Sequence, residues 1–131
     1  MLIVRRMSLT RFQASDCELS ISELDGGRLL IALEGRDLGQ LGRRPFEDLE
    51  GRMGTHPALH LWFDLRRATG ATLEASSRWA IWLRRHRRRL SRVDMLTSRP
   101  VITLSAKTVQ RFAELGDSAR IYAGVAPLKF W

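Results

Sequence analysis

The chain has three histidines, His56, His60 and His86, and one thiol, Cys17. None of the histidines forms a helical HxxxH pair, and no carboxylate stands at ligand spacing beside them, so no metal site is expected. A single cysteine excludes an internal disulfide and a cysteine-cluster metal site. The sequence has no Gly-rich phosphate loop and no Ser/His/Asp or Cys/His set in a recognisable motif. No catalytic residue, metal or cofactor is therefore expected, and the chain reads as a non-enzyme. Two groups of residues remain that can do chemistry. One is an arginine run: Trp82 to Arg92 holds six arginines and no acid. Its Arg84, Arg85, Arg87, Arg88, Arg89 and Arg92 form a candidate anion-binding surface, although water is the usual counterpart of a charge run. The other is Asp64 with Arg66, Arg67, Thr69 and Thr72, a candidate ligand or partner site at the end of a strand.

Those residues need a scaffold, and the pattern of apolar residues supplies one. Cys17 to Ser22 alternates apolar and polar, as a half-buried strand does. Asp25-Gly26-Gly27 is a turn, and Leu29 to Leu33 returns as an apolar run, which predicts a hairpin. Gly35 to Arg44 reads as a loop. Pro45 opens a short helix with Phe46, Leu49 and Met53 at helical spacing, and Gly54 closes it. Leu59 to Leu65 is nearly all apolar, the pattern of a central strand covered on both faces. Arg66 to Ala71 reads as a loop. Thr72 is placed to cap a helix from about Leu73 to Leu90, and Val93 to Leu96 is a further strand. Ser105 is read as the cap of a last helix through Leu115, with Val109, Phe112 and Leu115 inward. Gly116 stops it, and Arg120 to Tyr122 is an edge strand. Alternating strands and helices imply an α/β fold: a largely parallel sheet of about five strands, with the hairpin as an antiparallel edge.

On a helical wheel Trp79, Trp82, Leu83, His86 and Leu90 share one face, and the arginines take the flanks and the opposite side. The tryptophans are thus read as core, and His86 as a semi-buried side chain with one hydrogen-bond partner. Ile81 alone falls outward among Arg78, Arg84, Arg85 and Arg88. Residues 78–92 carry seven of the 22 basic residues and none of the 14 acids, so most of the net +8 sits on this one element. Twenty of the 22 are Arg rather than Lys, a bias that GC-rich coding produces, so the choice of Arg carries little chemical meaning. At 131 residues and 44% hydrophobic, the chain suits one globular domain, 1–131, with its core over about 17–124. The start does not read as a signal peptide, and no apolar run is long enough to span a bilayer; a cytoplasmic protein is the default expectation.

The segment DLRRATGATLEASSRWAIWL, preceded by LHLWF, resembles STAS domains and the related SpoIIAA-like domains. So does the closing unit VDMLTSRPVITLSAKTVQRFAELG. The resemblance covers roughly Ser20 to Gly124 and rests on element order, spacing and the Asp64-Leu65 strand end. It implies a non-catalytic module that docks on a partner protein; some relatives bind nucleotides or lipids. STAS regulators carry Asp-Ser-Ser-Gly at the helix start, with one serine phosphorylated. The matching positions here are Thr72-Leu73-Glu74-Ala75, so the usual serine switch is not expected. Thr69 and Thr72 are the hydroxyls left near that helix start. A protein partner is the first expectation; nucleic acid or an anionic membrane surface is the alternative, through the arginine-rich helix 78–92. A homodimer is also kept, since the terminal Phe130-Trp131 is expected to pack on the sheet or on a second subunit.

Overall fold

A computed structural model describes residues 9–54 and 56–124. Phe130 and Trp131, and the packing expected of them, lie outside the described residues. The order of elements is β1 (Thr10–Ala14), β2 (Cys17–Asp25), β3 (Arg28–Asp37), α1 (Arg44–Met53), β4 (Leu59–Ala71), α2 (Leu73–His86), β5 (Leu90–Thr97), α3 (Pro100–Phe112) and β6 (Ala119–Ala123), with a 3-10 turn at Arg87–Arg89 and another at Gly116–Ser118. The strands form one six-stranded sheet in chain order, β1-β2-β3-β4-β5-β6. The first two pairings are antiparallel and the last three parallel. The hairpin and the parallel half are as expected from the sequence; β1 is the sixth strand that the pattern did not reveal.

Each parallel crossover moves one strand further along the sheet. Crossovers of one hand then lay every helix on the same side. Leu19, Ile31, Phe63 and Met95 line one cavity with Trp79 and Leu83 of α2 and Ile102, Ala106 and Val109 of α3. Phe46 of α1 stacks on Trp79 at 4.6 Å. The core therefore lies between this sheet face and a single helix layer, with Ile21, Leu29, Ile31, Leu59 and Leu61 fully buried. Each such side chain contributes roughly 1.5–3 kcal/mol by burial. The expectation that β4 is covered by helices on both sides is corrected: its even residues His60, Trp62 and Asp64 point to the other face and are only half-buried. No helix among the described residues packs there.

Several element bounds also differ from the sequence reading: β3 runs on to Asp37, into the expected loop, and the last helix ends at Phe112 rather than Leu115. The 78–92 helix ends at His86; Arg87–Arg89 is a 3-10 turn, and Leu90 already starts β5. Leu90 pairs with Leu59, and this sheet pairing outweighs the continuing helical pattern. The last helix starts at Pro100, not Ser105, because proline suits the first turn; the Ser105 hydroxyl instead donates to the Val101 carbonyl within the helix. The buried stripe runs through Ile102, Ala106, Val109 and Ala113, which leaves Phe112 on the flank facing solvent, while Val109 and Leu115 are buried as expected. Thr72 does cap α2, its Oγ1 accepting from the Ala75 amide at 3.1 Å. Gly35 has φ +89, and a Cβ there would stand 2.1 Å from the Asp16 carbonyl oxygen, so the crossing of β3 past the β1–β2 turn requires glycine.

Candidate functional site

The segment read as a loop, Arg66 to Ala71, is the second half of β4, and its irregularity builds the site. Ala32 of β3 pairs with Asp64, but Glu34 pairs with Arg67. One residue on β3, Leu33, thus faces two on β4, which is a β-bulge at Leu65-Arg66. Regular alternation would send Arg67 to the opposite face from Asp64. The extra residue instead brings Asp64, Arg66 and Arg67 to the helix-free face together. There they line a concavity of about 450 Å³ with Glu18, Ser20, Glu34 and Ser98.

Within it Asp64 and Arg66 form a two-pronged ion pair: Arg66 Nε donates to Oδ1 and Nη2 to Oδ2, both at 2.9 Å. The Arg66 amide also donates to Oδ1 at 3.2 Å. Burial pushes the Asp64 carboxyl up, but the Arg66 hydrogen bonds and the charges of Arg66 and Arg67 outweigh it, so the group sits below the ordinary carboxylate range. Asp64 in turn raises Arg66. The Arg66 carbonyl accepts from the Ser98 hydroxyl at 3.1 Å, which ties the bulge to the end of β5. Arg66 Nη1 is buried and has no hydrogen-bond partner among the described residues. Arg67 is 81% exposed and stands 3.7 Å from Glu34, a loose surface pair.

Thr69 and Thr72 do not join this group. Thr69 is the extra residue of a second bulge, between the Gly35–Ala68 and Arg36–Gly70 pairings, and is exposed. Thr72 sits on the helix cap. The structure thus gathers three of the five strand-end candidates.

Beside them on the same face lies a cluster that the sequence reading missed. Asp94 of β5 is fully buried and accepts from three side chains: His60 Nε2 at 2.6 Å, Tyr122 hydroxyl at 3.1 Å and Arg92 Nε at 3.4 Å. Tyr122 and then Asp94 raise the Arg92 pKa further. His60 and Asp94 are 34 residues apart. Only the parallel β4–β5 register, in which His60 pairs with Arg92 and Trp62 with Asp94, brings them together. The sequence signal was present in one form: the even positions of a strand read as nearly all apolar hold His60 and Asp64.

The arginine run divides into distinct roles. Arg84 and Arg87 both pair with Glu114, at 3.0 and 2.8 Å. Arg89, though exposed, donates to the Met53 carbonyl at 2.6 Å and to the His56 carbonyl. Arg92 is the strand residue that serves Asp94. Of the six candidates, Arg85 and Arg88 alone make no ion pair or hydrogen bond among the described residues. Trp82 is buried and Trp79 partly so, as expected of core. His86 stacks on Trp82 at 4.5 Å, and its Nε2 lies 3.5 Å from Glu50 without a hydrogen bond.

No family profile matches the sequence, and no curated protein matches it as a relative. Among solved structures the chain is similar to an uncharacterised DUF3478-family protein from Shewanella loihica PV-4, described as having a SpoIIAA-like fold. The identity is 13%, the TM-score 0.59, and the match covers 87% of this chain and 86% of that one. The fold is SpoIIAA-like, as the sequence resemblance implied.

Proposed function

We propose that this SpoIIAA-like fold serves as a non-catalytic interaction module, which docks a partner protein on the helix-free face of its sheet at the Asp64–Arg66–Arg67 concavity. The observation that carries this reading is the β-bulge, which spends an extra residue to put two consecutive arginines beside one carboxylate on an open face. Bulges commonly re-aim side chains at functional sites. Asp64 is locked as an anion by its guanidinium partner, which suits it to hold a recognition surface rather than to deliver a proton. Three carboxylates and two arginines line the concavity. That mixture complements a protein surface of mixed charge; a polyanion would meet net repulsion. The work of such a module is regulation by binding, without the serine switch, at a cytoplasmic site.

The test is affinity capture from extracts of the cells that make the protein, with wild type and Arg67→Glu as baits. Arg67 is exposed, so the variant folds normally. A partner retained by wild type and lost by Arg67→Glu is expected. Capture of the same proteins by both baits, or of nothing above background, contradicts the docking site. A hydrolase or transferase turnover abolished by Asp64→Asn contradicts the non-catalytic role.

A further inference from the structure

The outer surface of the helix layer carries a different chemistry from the sheet face. Helices α2 and α3 lie side by side, since Arg84 and Arg87 from the end of α2 both reach Glu114 just beyond α3. On a helical wheel Ile81 opposes the buried face of α2, and Leu104 opposes that of α3, with Phe112 on the flank turned toward α2. All three are exposed: Ile81 58%, Leu104 65%, Phe112 61%. Leu73 and Val101, at the starts of the two helices, are exposed as well. The sequence placed Ile81 alone on this surface and put Phe112 in the core. The buried stripe Ile102, Ala106, Val109 and Ala113 leaves Phe112 outward, and the first turns of α3 add Val101 and Leu104, a second helix's worth of apolar groups. Arg84, Arg85, Arg88 and Arg111 stand among them and are exposed; Arg84, Arg85 and Arg88 flank Ile81 in one shallow depression. Glu114 offsets part of this charge, and the face stays strongly positive.

We propose that this face docks on an anionic lipid bilayer, with Ile81, Leu104 and Phe112 entering the interface and the arginines meeting lipid phosphates. Two properties select the bilayer. Large exposed apolar side chains gain free energy on leaving water for the acyl boundary, whereas a nucleic-acid backbone offers them no such environment. The long arginine side chains lay their apolar stems on the surface while the guanidinium reaches the headgroups. A second copy of the chain would bring Arg84, Arg85 and Arg88 against their own equivalents, which like-charge repulsion opposes. No helix of the described residues is long and apolar enough to cross the membrane. Docking is therefore peripheral, and it leaves the opposite sheet face turned to solvent, free for the protein partner proposed above. The inference stands without that partner, because it rests on the other side of the molecule.

Cosedimentation of the full chain with sucrose-loaded vesicles tests it. One set contains equal parts phosphatidylcholine and phosphatidylglycerol, the other phosphatidylcholine alone. Binding is expected for the anionic set and not the neutral one. It should weaken sharply between about 0.1 M and about 1 M salt, as the screening length falls from roughly 10 to 3 Å. Changing Arg84, Arg85 and Arg88 together to Gln should weaken binding about a hundredfold, at about fivefold per arginine. Changing Ile81 and Phe112 to Ser keeps every charge and should still weaken it about tenfold. All five side chains are exposed, and thermal melts matching wild type will confirm that both variants are folded. Absence of binding to anionic vesicles at low salt overturns the proposal. So does duplex DNA bound as tightly as the vesicles and indifferent to the Ile81/Phe112 change, which makes the face a polyanion site. Self-association without lipid, seen by ultracentrifugation and lost in the Ile81/Phe112 variant, replaces the bilayer with a second copy.

Discussion

Asp94→Ala tests whether the polar face is built or incidental. Asp94 is fully buried and is the shared acceptor of His60, Tyr122 and Arg92. In the variant Arg92, partly exposed, turns to water. His60 Nε2 and the Tyr122 hydroxyl are half-buried and lose their acceptor. A buried donor left unpaired costs roughly 1–3 kcal/mol. Two of them, each in the lower half of that range at about 1.5 kcal/mol because water can partly reach them, give about 3 kcal/mol. That lies at the low end for breaking a buried ion pair. For a domain of this size about 1 kcal/mol moves Tm by roughly 4 °C, so the melting point should fall by about 12 °C. A double-mutant cycle with Tyr122→Phe isolates the network. Tyr122→Phe alone should cost about 1 kcal/mol. In the Asp94→Ala background it should cost nothing and recover part of the loss, because it removes the hydroxyl that has lost its acceptor. Urea titrations of the four proteins give each term. An Asp94→Ala loss below about half a kcal/mol, or a Tyr122→Phe cost that is the same in both backgrounds, would refute a coupled network on this face.

Asp64 sits below its unfolded value, so its ion pair contributes stability above roughly pH 4 that is lost as pH falls through the lower folded value. Asp64→Asn should therefore shrink the difference between urea midpoints at about pH 7 and about pH 3; an unchanged difference sinks the assignment. Burial first, and the Asp37 charge second, push Cys17 from its ordinary 9.0 up to about 11. Near neutral pH its thiolate is about a hundredfold scarcer than in the unfolded chain. A thiol reagent should leave the native protein unlabelled until urea unfolds it, and fast native labelling contradicts the buried placement. Thr72→Ala should cost about 1 kcal/mol through the lost α2 cap, with Thr72→Ser restoring most of it. Equal melts for the two variants would show that the hydroxyl contributes nothing.

The parts of the fold legible in the sequence are those fixed by local pattern. The Asp25-Gly26-Gly27 turn, the Pro45 helix start and the Thr72 cap each act within a few residues, and each stands where the pattern put it; the last helix instead ends at Phe112, short of the expected Gly116 stop. Legibility failed where a distant partner decides. Leu90 continues the helical face of α2 in sequence, yet its pairing with Leu59 draws it into β5. Arg89 and Arg92 read as solvent-facing charge, but backbone carbonyls at Met53 and His56 claim the first and Asp94 the second. At the site, Asp64 was legible as a strand end. Its grouping with Arg67 depends on a bulge that becomes visible only against the register of β3. His60 and Asp94 carry no local signal of each other, because a parallel register joins them across a whole helix.

The bulge also explains how one strand serves two opposed surfaces. Through Leu59, Leu61 and Phe63 the odd residues of β4 build the core, and the even residues face away from the helices. Strict alternation would carry Arg67 to the core side, where burying its charge without a partner would be costly. The inserted residue lets Leu65 stay on the core side and turns both arginines outward before Ala68 resumes core packing. Deleting Arg66 should therefore keep the register on either side of the bulge, with Glu34 still opposite Arg67 and Gly35 still opposite Ala68. Arg67 would then stand two residues from Asp64, where Arg66 stands now, and could take over its carboxylate. The fold should survive with a modest loss of stability, while the paired-arginine surface would be gone. Circular dichroism and a urea titration report the first outcome, and capture of the wild-type partner reports the second. A deletion variant that unfolds would show that the bulge is needed for the fold itself; one that folds and still holds the partner would show that a single arginine suffices.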